Sequence, residues 1–190
     1  MGVYLVSVSA EDWSVPGEDG HGDVAHALNA ELARRGLPPY EAGRPEASGW
    51  FEEKMSPSMD GFDRLCRARL TPEEHRNLLG WTLLVPFALE ESFELPFGSA
   101  YADETLVVGA PYVLALAERL AEALALPLDL IPATFGNLEL TLWFLEGEGE
   151  KAAAARPGPW AHDLATAFYT AVYLRAAQYS LRHGCAMTYS

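Results

Sequence analysis

Cysteine is scarce in this sequence, with 2 residues in a chain of 190. Cys66 and Cys185 lie far apart and form no C-x-x-C pair, so the sequence carries no disulfide framework. A chain of this length buries enough apolar surface to fold without such cross-links. We therefore expect both thiols to be free and the protein to work in a reducing compartment, the cytoplasm.

Long apolar runs are also missing. No stretch has the length that a membrane span requires. The apolar residues 3–8 have no basic flank and are followed at once by Glu11 and Asp12, unlike a secretory signal. Val6 stands where N-myristoylation of Gly2 requires Ser or Thr. These features lead us to expect no attachment to a membrane.

Basic residues are few, because 13 Lys and Arg stand against 27 Asp and Glu and leave a net charge of −14. Such a surface repels phosphate backbones and anionic lipids, so we expect neither nucleic-acid nor membrane binding. The same charge attracts a basic protein partner. The alternative explanation of the charge is solubility alone.

Lysine occurs only at Lys54 and Lys151 and isoleucine only at Ile131, while alanine, arginine, leucine and glycine are abundant. This skew is typical of a GC-rich coding sequence and indicates a bacterial origin.

Hydrophobic periodicity predicts one α+β domain over residues 1–190, with a mixed or antiparallel sheet packed by several helices. An alternating α/β fold is the alternative. The predicted helices cover 23–35, 60–70, 72–80, 111–126 and a long C-terminal segment, 159–183. The predicted strands cover 2–9, 81–87, 92–97, 105–108 and 138–145. Residues 10–22 are predicted to form a loop and residues 147–150 a solvated turn.

Residues 37–61 are the least regular region of the sequence. They are rich in proline and glycine, yet they carry aromatic and methionine side chains that a disordered linker lacks. Aromatic and acidic residues meet there, as they do in binding loops. The candidate interaction residues are Trp50, Phe51, Glu52, Glu53 and Asp60. In the alternative interpretation, Trp50 and Phe51 only hold the loop against the core.

Motifs for catalysis and metal binding are weak. His21, Asp23 and His26 combine imidazole and carboxylate groups, but their spacing does not bring three or four ligands together, so we expect no metal. Cys66 has Arg64 and Arg67 nearby, which favours a reactive thiol, whereas its position on an amphipathic helix favours burial. The sequence has no G-x-S-x-G, Walker A or dinucleotide-binding motif, and we expect no cofactor.

Two hypotheses of function remain. In the first, the protein is an acidic cytoplasmic binding protein of the immunity or inhibitor type that sequesters a basic protein partner. In the second, it is a small enzyme or a small-molecule-binding protein with a pocket between the sheet and the helices. The sequence leaves the oligomeric state open.

Overall fold

A computed structural model describes residues 2–17, 20–43, 50–96, 104–133 and 136–190. Over these ranges the chain forms one open, mixed sheet of 6 strands with helices packed on both faces. The α+β class and the long C-terminal helix predicted from the sequence are confirmed.

The strands run in the spatial order β2-β1-β6-β3-β5-β4. Their bounds are β1 Tyr4–Ser7, β2 Glu52–Lys54, β3 Leu83–Val85, β4 Phe93–Leu95, β5 Thr105–Gly109 and β6 Met187–Tyr189. The β3–β5 pair is parallel, and each other neighbouring pair is antiparallel. Because β1 and β3 are both antiparallel to β6, β1, β3 and β5 all run in one direction. The C-terminal ends of these three strands, at Ser7, Val85 and Gly109, lie on the same side of the sheet. We call this side the strand end.

The helices are distributed along the whole chain. Their bounds are α1 Ala10–Ser14, α2 Gly22–Arg34, α3 Asp60–Arg69, α4 Pro72–Gly80, α5 Ala110–Ala123, α6 Glu139–Leu145, α7 Glu148–Ala155 and α8 Leu164–His183. A short 3-10 helix, Pro159–His162, precedes α8. Helix α4 starts with a capping box, because the Thr71 side chain accepts from the Glu74 amide and the Glu74 side chain accepts from the Thr71 amide.

The two faces of the sheet bury different sets of residues, because successive side chains of a strand point to opposite sides. Leu84 and Val108 face the larger layer, in which α3, α5 and α6 surround α8. Leu83 and Val107 face the smaller layer, which holds α1 and α2. Since α8 is apolar around most of its circumference, it forms the centre of the larger layer.

The predicted strand over residues 138–145 is wrong, because this segment forms α6. Leu140 and Phe144, four positions apart, both point into the core at helical spacing. The carboxylate of Glu53, on β2, accepts the amide hydrogens of Leu140 and Thr141 and so caps the start of the helix. The sequence of residues 138–145 alone carries no sign that a residue as distant in the chain as Glu53 caps this helix.

Other predicted boundaries need smaller corrections. The loop predicted over 10–22 contains α1, which Ser9 caps by accepting from the Asp12 amide. The turn predicted over 147–150 contains the start of α7. The long C-terminal helix starts later than predicted, at Leu164, where Asp163 caps it. Strands β2 and β6 are 3 residues long each and were not predicted.

Candidate functional site

Three segments follow strands at the strand end and define its surface. Helix α1 follows β1, the connection 86–92 follows β3, and α5 starts directly after β5. In sheets with parallel strands, ligands commonly bind outside the carboxyl ends of the strands. Among the residues that the structure describes, two concave sites lie at the strand end.

The first concave site is a pocket of about 80 Å³ at the ends of β3 and β5, which we call the acidic pocket. Glu73 on α4 and Glu90 and Glu91 in the connection after β3 supply its carboxylates. The residues lining it are Glu73, Asn77, Leu89, Glu90, Glu91, Ser92, Val108, Gly109 and Tyr112. The pocket has the size of one small polar group.

Tyr112 lines the acidic pocket together with its three carboxylates. The pKa of Tyr112 is raised, first by its partial burial and then by the charges of Glu74 and Glu73, although a hydrogen bond to Asn77 opposes the shift. Arg35 forms an ion pair with the exposed side chain of Glu91, with 3.4 Å between the guanidinium nitrogen and the carboxylate oxygen. Across the described ranges, Glu73 and Glu90 take part in no ion pair. Glu73 and Glu90 can therefore bind a cationic group without first releasing another one.

The second concave site is an open cleft of about 530 Å³ between α1, α2 and residues 40–42, which we call the helix cleft. Its lining residues are Ala10, Trp13, Ser14, Gly22, Ala25, His26, Asn29, Tyr40, Glu41 and Ala42. Ala10 on α1 and Ala25 on α2 are small lining residues, whereas a side chain at Gly22 would meet the backbone of Val15 and Pro16. Small residues on both helices therefore leave room for the cleft.

Most of the polar groups in the helix cleft already have partners. The Asn29 amide donates to the Tyr40 carbonyl at 3.1 Å and accepts from the Tyr40 amide at 2.7 Å. The Tyr40 hydroxyl donates to the carbonyl of Gly184, and Ser14 donates to the carbonyl of Ala10. These bonds fix the walls of the cleft.

Two lining side chains, His26 and Glu41, keep polar atoms without a hydrogen-bond partner among the described residues, and both are exposed. The rings of Trp13 and Tyr40 meet edge to face at 5.2 Å and form the buried base of the cleft.

Helix α2 connects the two sites. Its first residue, Gly22, donates to the carbonyl of Val15, just after α1. At its other end, the Arg35 guanidinium lies 4.3 Å from the ring centre of Phe93 on β4. A helix of 13 residues is about 20 Å long, and four strand spacings, from β1 to β4, span about 19 Å. The helix therefore crosses the sheet and places one concave site near each of its ends.

Two of the predicted interaction residues, Trp50 and Glu52, lie at the surface. Trp50 keeps 44% of its surface exposed, and its indole nitrogen donates to the Glu52 carboxylate at 3.2 Å. Because β2 is antiparallel to β1, Trp50, which precedes β2, lies beside the end of β1. Trp50 therefore belongs to the strand end.

The other three predicted interaction residues do not share that surface. Phe51 and Glu53 are buried in the core, and Asp60 is exposed but follows β2 and so lies towards the opposite edge of the sheet. Phe51 packs on Tyr179, with 5.5 Å between the ring centres, as the alternative interpretation of this loop expected. Phe51 and Glu53 are thus corrected from surface residues to core residues.

Glu53 serves the fold. Its carboxylate accepts from the amides of Leu140 and Thr141 at 2.9 and 2.8 Å and from the Thr141 hydroxyl at 2.6 Å. Burial raises the pKa of Glu53, and these hydrogen bonds oppose that shift because they favour the charged form. The side chain holds α6 against the edge strand β2.

The residues considered for a metal site are not brought together as a ligand set. In the described part of the chain, no three His, Cys, Asp or Glu side chains form a group that could hold a metal ion. His21 precedes α2, and its Nδ1 atom is buried without a partner, while Asp23 and His26 are exposed. Burial lowers the pKa of His21, although Asp12 nearby favours the charged form.

Both cysteines are buried as free thiols, as predicted. Burial raises the pKa of Cys66 to about 12, with a further contribution from Asp63, and burial also raises the pKa of Cys185 to about 12. Thiols with such values remain protonated near neutral pH and are poor nucleophiles. Burial, rather than activation by Arg64 and Arg67, decides the state of Cys66.

Comparisons with known proteins give no relative: no protein-family model, curated protein or solved structure matches this chain. In the described part of the chain, no helix combines the length and the apolar character needed to cross a bilayer.

Sequence reasoning singled out neither concave site. The pairs Glu73-Glu74 and Glu90-Glu91 are visible in the sequence, but adjacent acidic residues are typical of any solvated surface. The useful signal is the position of these residues relative to the strands. Glu90 and Glu91 follow β3 and Tyr112 follows β5. That signal becomes readable only when β3 and β5 are known to be parallel neighbours.

Proposed function

We propose that the protein binds and sequesters a basic protein, in the manner of an immunity or inhibitor protein. The observation that supports this most strongly is the acidic pocket, which brings Glu73, Glu90 and Glu91 together around Tyr112 at the strand end. Pockets of this kind suit a lysine or arginine side chain, because carboxylates form charge-assisted hydrogen bonds with such groups.

The charge of the whole chain supports the same proposal. A net charge of −14 speeds the approach of a basic partner and disfavours phosphate-bearing ligands. Trp50 adds an exposed aromatic side chain at the strand end, and tryptophan is enriched among the residues that dominate binding energies. The proposal includes a bacterial, cytoplasmic setting, and the buried free thiols are consistent with a reducing compartment.

A second candidate function, the binding of a small molecule with or without catalysis, is favoured by the helix cleft. Its volume of about 530 Å³ lies within the range of roughly 300–1,000 Å³ common to ligand sites. The two candidates differ in their response to salt, because the capture of a large basic protein depends more strongly on long-range charge.

The proposal is tested by affinity capture from a cell lysate, followed by binding kinetics on the purified partner. The diagnostic variant combines Glu73→Lys with Glu90→Lys. A matched control combines Glu118→Lys with Glu122→Lys, two exposed positions on α5 outside the acidic pocket. Both variants change the net charge equally, so a difference between them reports on the pocket itself.

We expect the pocket variant to slow association by about ten-fold relative to the control variant, because steering charges act mainly on the association rate. The association rate should also fall steeply as salt rises from about 0.05 to about 0.3 M. If no basic protein is retained at low salt, or if the two variants bind a basic partner equally well, the proposal is wrong.

A further inference from the structure

We infer that the helix cleft receives an arginine side chain of the basic partner. This inference rests on the proposed function and specifies how the partner is recognised. The shape of the cleft, the charge at its rim and its position relative to the acidic pocket support it.

The shape of the helix cleft suits a long side chain with a flat polar head. Alanine residues on α1, on α2 and in residues 40–42 offer methyl groups to a methylene stem, while most of the lining surface is polar and suits a polar head. The base is formed by Trp13 and Tyr40, whose edge-to-face contact leaves little of either ring exposed. An extended stem can therefore follow the walls while its head stays near the polar rim.

The charge at the rim favours a cation. Glu41 offers a carboxylate and His26 an imidazole, and neither has a hydrogen-bond partner in the described part of the chain. The Asn29 side chain is held in place by the Tyr40 backbone, whose carbonyl accepts from one of its two N–H groups and whose amide donates to its oxygen. With a net charge of −14, an anionic occupant is disfavoured.

Guanidinium fits this rim better than ammonium. Its planar fork donates two parallel hydrogen bonds to one carboxylate, such as that of Glu41, and it is more weakly hydrated than the ammonium group of lysine. The second property matters because the group must lose part of its water when it enters the cleft.

The position of the helix cleft allows a single partner to use both concave sites. The cleft and the acidic pocket lie near opposite ends of α2, which is about 20 Å long. A standard interface covers roughly 800 Å² on each partner, which is about 30 Å across. One basic surface can therefore place an arginine in the cleft while another basic group lies at the acidic pocket.

The direct test uses a defined probe, a capped Gly-Arg-Gly peptide, titrated into the isotopically labelled protein and followed by amide chemical shifts. We expect saturable shifts at Trp13, Ser14 and His26, with a dissociation constant on the order of 1 mM for so small a probe. Peptides with lysine or neutral citrulline in place of arginine should bind about three-fold and about five-fold more weakly.

Two pairs of variants localise the effect. Glu41→Gln should weaken the arginine peptide about three-fold, whereas Glu11→Gln, an equal charge change on α1 outside the cleft, should leave it unchanged. Ser14→Phe, which fills the cleft from its exposed rim, should abolish the shifts. Ala154→Phe, on the exposed side of α7, serves as its control for folding and surface apolarity.

Three results would overturn the inference: shifts that fall outside the cleft, equal binding of arginine and citrulline peptides, or equal effects of Glu41→Gln and Glu11→Gln. Binding of the captured partner to the same variants then distinguishes failure of this inference from failure of the proposed function. If the partner binds with the expected dependence on the acidic pocket but tolerates Ser14→Phe as well as Ala154→Phe, the proposed function stands and the arginine site does not. If both substitutions spare the peptide and no basic partner exists, both fail.

Discussion

At the scale of single residues, Glu52 and Glu53 show how adjacent identical side chains acquire different roles. They occupy successive positions of β2, so one points outward to Trp50 and the other inward to the start of α6. The sequence alone predicts an irregular loop over residues 37–61. Without a predicted strand, the alternation of inward and outward side chains cannot be applied to Glu52 and Glu53. The burial of Glu53 was therefore not predictable, since an isolated glutamate is expected at the surface.

Removing the Glu53 side chain tests its capping role. We expect Glu53→Ala to lower the free energy of unfolding by about 3 kcal/mol, because two amides and the Thr141 hydroxyl lose their acceptor. Glu53→Gln, which keeps one carbonyl oxygen, should cost about half as much. Urea denaturation measures both values, with Glu52→Ala as the control.

A loss for Glu53→Ala no larger than that for Glu52→Ala would show that Glu53 does not stabilise α6. Faster amide hydrogen exchange at Leu140 and Thr141 in Glu53→Ala would provide independent support, because those two amides would lose their acceptor.

At the scale of elements, prediction succeeded where a helix carries its own signals. Helix α4 has its capping box and Pro72 at the start, and α5 has its apolar stripe, so both could be located from the sequence. Prediction failed for α6, whose 7 residues are nearly all apolar or β-favouring and whose cap comes from β2. Short elements that depend on distant partners carry too little local information to be assigned.

Helix α2 supplies a test of acid stability. Arg34 and Arg35 donate hydrogen bonds to Glu31 and lower the pKa of Glu31 from 4.5 to about 2. Because the folded protein binds this proton less readily than the unfolded chain, the stabilisation is complete above pH 4.5 and is lost as the pH falls towards 2. We expect Glu31→Gln to lower stability at about pH 6 and to have a smaller effect near pH 3.

Denaturant midpoints at several pH values measure this difference, and Glu122→Gln on the exposed side of α5 is the control. A Glu31→Gln effect that stays constant over this range would show that the contacts to Arg34 and Arg35 do not stabilise the folded state. The expected effect is modest, because exposed ion pairs are screened by solvent.

At the scale of the whole molecule, the direction of the strands decides which candidate residues can act together. Trp50 and Asp60 are close in the sequence, but β2 separates them and directs them towards opposite edges of the sheet. Trp50, the helix cleft and the acidic pocket are far apart in the sequence, yet all three lie at the strand end. No pattern in the sequence shows this grouping, because it depends on the strand order.

This grouping gives a prediction about the footprint of the proposed partner. From β2 to β4 the sheet spans five strand spacings, or about 24 Å, which fits within one standard interface. We therefore expect Trp50→Ala to weaken binding of the basic partner by about 2 kcal/mol without unfolding the protein. Asp60→Ala, at the other edge of the sheet, should change the binding energy by less than about 0.5 kcal/mol even though it also removes a negative charge.

Equilibrium binding of the purified partner to both variants measures the two effects, with circular dichroism to verify that each variant is folded. Comparable losses for Trp50→Ala and Asp60→Ala would mean that long-range charge and general surface contact, rather than the strand end, govern binding. A loss confined to Asp60→Ala would move the interface to the opposite edge of the sheet. The orientation of β2 thus turns two neighbouring candidates from one loop into separate markers of where the partner binds.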